Sequence, residues 1–288
     1  MLTPETLPTL TCWQMSDGYE IRGRFWPAPQ PADVAILYLH GIQSHGGWYE
    51  GSAAHLAAGG LPVMMPDRRG SGLNEAARGD TPGAQRWFDD VAAHCEWLRG
   101  ATGARRLALV GVSWGGKLAA AFALRRPAEL YALLLIAPGI FPAVTLAVTR
   151  RVHVGWSLLS RDPTRQFAIP LHDPRLFTAN PAGQKFIAAD PLKLTHVTAR
   201  FLYESARVDR ALARAASASL APATTLLLAG DDRIIRNDAT ERGLRRIAAR
   251  PATVHTFPAA GHTLEFEADS AQFLATIRAW QRRICHNS

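Results

Sequence analysis

Unbroken apolar runs closed by a turn residue alternate with stretches of helical spacing along most of the chain. Residues 33–40 (DVAILYLH) run apolar until Gly41, the pattern of a strand buried on both faces. A shorter run, 61–65, stops at Pro66-Asp67. Residues 86–99 place apolar side chains at 87, 88, 91, 95 and 98, a helical spacing with Gly100 just beyond it. Residues 107–112 again predict a strand, and 115–126 predict an Ala/Leu-rich helix that ends before Pro127. Three more strands are expected at 133–136, 224–229 and 253–257. This order predicts an α/β fold, a mostly parallel central sheet with helices on both faces. Its reactive groups should lie at the carboxyl ends of the strands.

The rhythm breaks between about 141 and 218, where prolines interrupt the chain and no strand pattern is evident. Helices are expected there at 181–188 and 192–218. Because sheet strands flank the stretch on both sides, it reads as an insertion, a cap above a core made of 1–140 and 219–288. The uncharged segment 131–149 approaches the length of a membrane span, but Pro138, Gly139 and Pro142 divide it. It reads as a strand, a turn and the apolar start of the insertion.

Composition narrows the class without naming a function. Of 288 residues, 48% are hydrophobic and 19% charged, which excludes a disordered or fibrous protein. The net charge of +8 comes mainly from arginines dispersed in pairs, such as Arg68-Arg69 and Arg245-Arg246. A dispersed excess is a solvated surface with some attraction for anionic substrates and weak peripheral membrane contact. No basic run with interleaved aromatics marks a nucleic-acid groove. Cys12, Cys95 and Cys285 lie far apart, which argues against a disulfide framework or a cysteine metal site. With no secretory pattern at the amino terminus, a cytoplasmic protein is expected. The sequence leaves the oligomeric state open.

The chemistry concentrates in Gly111-Val112-Ser113-Trp114-Gly115, a G-x-S-x-G sequence between a predicted strand and a predicted helix. A sharp strand-to-helix turn there raises the serine oxygen, and flanking glycines avoid collisions in the bend. A serine hydroxyl needs a base, and the base needs an orienting carboxylate; in this architecture they follow in the order Ser, acid, His. His262 fits the base, in a small-residue loop after the strand at 253–257. His255 falls mid-strand, where a structural role is expected. The loop after 133–136 holds no carboxylate, so the acid is Asp231 or Asp232 after 224–229, with Asp238 a remote third. Backbone donors for an oxyanion are expected from Trp114 and from the loop His40-Gly41-Ile42, at the Ile42 amide. His40 is expected to brace that loop.

Together these segments resemble the α/β-hydrolases, in the serine hydrolase group of monoacylglycerol lipases, lysophospholipases and S33 aminopeptidases. The likeness rests on residues 40–45, on Pro66-Asp67-Arg68-Arg69-Gly70-Ser71-Gly72, on 111–116, on Gly230-Asp231-Asp232-Arg233 and on Gly261-His262. It implies the α/β-hydrolase fold, a cap over an acyl pocket, and a structural role for the 67–70 loop. It also favours Asp232, whose following Arg233-Ile234-Ile235 matches the family's register. The activity implied is hydrolysis of a small acyl ester through Ser113, His262 and Asp232, with no cofactor and no metal. Ser113-Trp114-Gly115-Gly116 also resembles the proline iminopeptidases, which hold a substrate amine with cap carboxylates. Of the cap's Asp162, Asp173, Asp190 and Glu204, the first three precede prolines and suggest turns. The apolar Phe141, Val144, Leu146, Val148, Trp156, Leu158 and Leu159 suit an acyl chain better. Acyl transfer or thioester hydrolysis on the same triad, and a non-catalytic ligand-binding protein, are the other readings; dehalogenase or epoxide-hydrolase chemistry would need an aspartate at 113.

Overall fold

The computed structural model describes residues 7–286. The chain opens with β1 (Thr9–Gln14), β2 (Glu20–Trp26), β3 (Val34–Leu39), α1 (Glu50–Ala57), β4 (Val63–Pro66) and α2 (Ala84–Thr102). It continues through β5 (Arg106–Val112), α3 (Trp114–Arg125) and β6 (Ala132–Ile136). Then come α4 (Val148–Leu159), β7 (Gln166–Ala168), α5 (Pro181–Ala189), β8 (His196–Thr198) and α6 (Ala199–Arg214). Last are β9 (Ala223–Ala229), α7 (Asn237–Ile247), β10 (Thr253–Phe257) and α8 (Ala271–His286).

Eight strands form one sheet in the order β1-β2-β4-β3-β5-β6-β9-β10. From β4 to β10 all neighbours are parallel, while β1/β2 and β2/β4 pair antiparallel. The mostly parallel α/β sheet expected from the apolar runs is therefore present, as an α/β-hydrolase fold. Strands β3, β4 and β6 are buried along their whole length, as strands covered on both faces must be. Apolar periodicity did not reveal β1 and β2. They form the sheet's antiparallel edge, and their mixed exposure breaks both the continuous and the strictly alternating pattern.

The segment from 141 to 218 departs from expectation in several places: 148–159 form helix α4, 166–168 form strand β7, and the helix expected at 192–218 covers only 199–214. Residues 196–198 are not helical; they form β8, antiparallel to β7 with Val197 opposite Phe167. The hydroxyl of Thr198 accepts from the Phe201 amide at 3.0 Å, so helix α6 starts only after this cap. The uncharged stretch 131–149 resolves into β6, a turn, a loop and the first residues of α4. Among the described residues no helix is long and apolar enough to cross a membrane.

Polar ties hold the later part of this segment to the rest of the molecule. The carboxylate of Asp190 accepts from the indole of Trp48 at 2.7 Å and pairs with His45 at 3.1 Å. Asp80 pairs with Arg200 and accepts from Thr198 at 2.7 Å. The Leu194 amide donates to the Gln43 carbonyl, and Arg78 donates to the Leu192 carbonyl.

Candidate active site

Ser113 occupies the turn between β5 and α3 with φ 52° and ψ −120°. A non-glycine residue there is strained by roughly 1–3 kcal/mol, so its surroundings must over-determine it. They do so through hydrogen bonds. The Ser113 amide donates to Ile136, and its carbonyl accepts from Gly116, Lys117 and Gly139. The flanking glycine is required on steric grounds. A Cβ on Gly115 would lie 2.4 Å from the Leu39 carbonyl oxygen, so any side chain would push α3 off the sheet.

His262, five residues beyond β10, places Nε2 2.9 Å from Ser113 Oγ. Its Nδ1 lies 2.8 Å from Oδ2 of Asp232, in the loop after β9. The other carboxylate oxygen of Asp232 accepts from the Ile234 and Ile235 amides at 2.8 and 2.9 Å. These bonds fix the imidazole with its proton on Nδ1 and a lone pair facing the serine hydroxyl. The His262 and Asp232 side chains are buried. By contrast, Asp231 is exposed and pairs with Arg233, Asp238 lies exposed in the first turn of α7, and His255 is exposed on the edge strand β10.

The loop after β3 lies over the nucleophile. A Cβ on Gly41 would lie 3.3 Å from Ser113 Cβ, and one on Gly139 would lie 3.2 Å from the Trp114 nitrogen. Small residues thus leave room beside Ser113 and the Trp114 amide. His40 is buried, its Nδ1 bonded to the Gly41 carbonyl at 2.8 Å and its Nε2 accepting from the Arg68 amide at 2.8 Å. Burial, with Arg68 nearby, pushes its pKa well below the usual histidine value, so it stays neutral as a brace.

Arg68 does more than the expected structural loop suggests. Its guanidinium donates to the Gly41 and Ile42 carbonyls at 3.1 and 2.9 Å, and lies 4.7 Å over the Trp114 ring. It therefore spans both segments from which the oxyanion donors are expected. The doubled arginine at 68–69 was the sequence signal; its neighbour Arg69 turns the other way, to Asp90 at 2.7 Å. Glu267 was also missed. It accepts from the Gly261 amide at 2.9 Å and from Thr178 at 3.0 Å, steadying the loop that carries His262. Nothing in the sequence pattern pairs those positions.

Ser113, Ile42 and Trp114 open onto a cavity of about 480 Å³. Its walls are largely apolar, including Val144, Leu146, Val154, Leu158, Ile169 and Leu171. A buried hydroxyl with a base and an orienting acid, at the mouth of an apolar cavity, has the equipment to attack an acyl carbon.

Residues 30–269 match the family model described as serine aminopeptidase, S33. The monoglyceride lipase of Homo sapiens is 28% identical over 152 residues, 52% of this chain and 50% of that protein. The chain thus spans about half the length of that curated relative in the match. A soluble variant of the Saccharomyces cerevisiae monoglyceride lipase, in complex with a substrate analog, superposes with a TM-score of 0.86 at 18% identity. That match covers 98% of this chain and 97% of the other. A thermostable carboxyl esterase of Bacillus coagulans, in complex with glycerol, gives 0.81 at 14% identity, covering 97% and 99%. At these identities the structural likeness speaks to the fold.

Proposed function

Since the chain belongs to the S33 serine aminopeptidase family of α/β-hydrolases, we propose that it is a serine carboxylic ester hydrolase acting on monoacylglycerol-like, lysophospholipid-like or other small acyl esters. The observation that carries this reading is the continuous hydrogen-bond chain from Asp232 through His262 to Ser113, opening on an apolar cavity. Human monoglyceride lipase, the relative matched over half its length, is consistent with it.

In this reading Ser113 Oγ attacks the ester carbonyl as its proton passes to His262 Nε2. Asp232 holds the resulting imidazolium. The Ile42 and Trp114 amides donate to the oxyanion, in a loop that Arg68 and His40 keep in place. Collapse breaks the bond to the alcohol oxygen, which takes the proton from His262 and leaves an acyl-Ser113. A water, deprotonated by His262, then attacks the acyl carbon and releases the acid. No metal or organic cofactor enters. The segment 141–218 serves as the cap over the acyl pocket.

The family's name invites an aminopeptidase reading, and the cavity argues against it. The Asp190 carboxylate is engaged by Trp48 and His45, that of Asp173 by Arg175, and that of Glu204 by Arg207 and the Ala84 amide. The carboxylate that does face the cavity, Asp209, is paired with Lys117 at 2.8 Å. A substrate ammonium would meet a lysine there.

A p-nitrophenyl ester series from acetate to palmitate tests the proposal, run on wild type and Ser113→Ala together. Wild type is expected to turn over at least one member. Ser113→Ala should lose on the order of 10⁴-fold or more in kcat with its melting curve retained. No turnover of any ester by folded wild type sinks the reading.

A further inference from the structure

One wall of the cavity is not apolar. Lys117, one turn into α3, has a buried side chain, an unusual location for an ammonium among alanines and leucines. Its Nζ donates to Ser205 Oγ at 2.8 Å and pairs with Asp209 at 2.8 Å, both on α6. Ser205 Oγ also accepts from the Trp114 indole at 3.0 Å. All four residues line the cavity that opens at Ser113. The donors can be counted. An ammonium carries three N–H groups, of which Ser205 accepts one; Asp209 Oδ1 lies at ion-pair distance but accepts no hydrogen bond. The Ser205 oxygen already accepts twice, so its own proton is free to donate. Among the described residues no acceptor takes that proton or the remaining ammonium protons.

We propose that Lys117 and Ser205 form a polar subsite that binds an oxygen acceptor carried by the substrate ester. This rests on the ester-hydrolase reading of Ser113. Unspent donors of both side chains converge in a largely apolar cavity, where an unmade hydrogen bond costs most. Asp209 neutralises the ammonium, so the subsite selects a neutral hydroxyl, oxo or ether oxygen; a carboxylate would face Asp209. Lys117 follows Ser113 by four residues, about 6 Å along a helix axis. The acceptor therefore sits a few atoms from the scissile carbonyl, on the acyl or the alcohol side. A plain alkyl ester would bury the same donors unpaired, and such a site discriminates strongly against the analogue lacking the partner.

The test compares kcat/KM within matched pairs. The acyl arm uses p-nitrophenyl butanoate and p-nitrophenyl 3-hydroxybutanoate; the alcohol arm uses propyl and 2-hydroxyethyl butanoate. Wild type should favour the oxygenated member of one arm by about tenfold or more, and the arm that responds locates the oxygen. Lys117→Met, close in volume, and Ser205→Ala should each bring that ratio near one. Lys117→Met leaves the buried Oδ1 of Asp209 without its cation, so Ser205→Ala provides a second route should Lys117→Met fail to fold. Ratios at or below one in both arms for wild type overturn the subsite, as does a preference that survives both substitutions. A folded wild type that hydrolyses neither the plain nor the oxygenated esters overturns the ester reading together with it.

Discussion

Helices α4 and α6 both lie between β6 and β9 along the chain, yet they face opposite environments. Helix α6 turns Phe201, Val208 and Leu212 into the core and is tied down by Asp80–Arg200, Lys117–Asp209 and the Glu204 carboxylate, which accepts from the Ala84 amide at 3.1 Å. The Phe201 ring meets Trp87 edge-on and lies tilted against Trp114, and the Arg68 guanidinium lies 5.4 Å above it. Any movement of α6 therefore reaches the guanidinium that holds the Gly41 and Ile42 carbonyls. Helix α4 buries Val154 and Ser157 and leaves Val148, Val152, Trp156 and Leu159 exposed at 74, 63, 65 and 81%. These four recur at i, i+4, i+8 and i+11, one apolar stripe facing water beside Arg150 and Arg151. One helix is a fixed wall of the cavity. The other is a wall whose outer face has no protein partner among the described residues. Any weak peripheral membrane contact of the kind expected from the arginine excess would fall on this stripe and not on 141–149, because Val144 and Leu146 line the cavity.

The sharpest way to break this comparison is Phe201→Ala. Emptying that site should cost about 3–5 kcal/mol in urea unfolding and lower ester kcat by slackening Arg68. A loss below 1 kcal/mol would mean α6 is not part of the fixed frame. A second handle is pH, through Glu265, which lies in the turn after His262 and accepts from the Ser52 amide at 2.8 Å. Burial raises its pKa to about 7 from an ordinary 4.5. Between those values the folded state binds more protons than the unfolded one, so stability is full below pH 4.5 and is lost as pH rises to 7. The loss is up to about 3 kcal/mol. Glu265→Gln should flatten that slope. Amide-exchange protection, corrected for the intrinsic pH dependence of exchange, should weaken in α6 along with the body as pH rises, while α4 exchanges fast throughout. The smallest effect belongs to the exposed stripe. Trp156→Ser with Leu159→Ser should shift stability by less than about 0.5 kcal/mol and leave hydrolysis of soluble esters unaltered. Co-sedimentation with anionic liposomes at low salt should fall, and undiminished sedimentation would remove α4 from any lipid contact.

Much of this arrangement could be read in the residues. Buried parallel strands are long apolar runs, and each loop expected to carry chemistry followed one, so Ser113, Asp232 and His262 could be found before they were seen to meet. The antiparallel strands β1 and β2, and the short pair β7 and β8, were not legible. Strands of mixed exposure and strands of three residues are defined by their partners more than by their own pattern. The doubled arginine marked Arg68 but not its positioning role, because its Ile42 partner lies 26 positions away; Glu267 left no signal at all. Lys117 did leave a trace, as a charge in a helix otherwise apolar on every side. Only the fold supplied Ser205 and Asp209 from 88 and 92 positions along the chain.

The backbone of Ser113 sets a conflict between durability and work. At φ 52° every L-residue is penalised and glycine is not. Ser113→Gly and Ser113→Ala both lack the hydroxyl, so the difference in their melting points reports the torsional strain less the greater chain entropy that glycine loses on folding. The glycine variant should melt higher, by a margin equivalent to about 1 kcal/mol. The position proposed to supply the nucleophile is then one where thermal robustness alone would select a different residue. A search for heat-resistant variants that ignored activity would drift toward a silent protein at this turn.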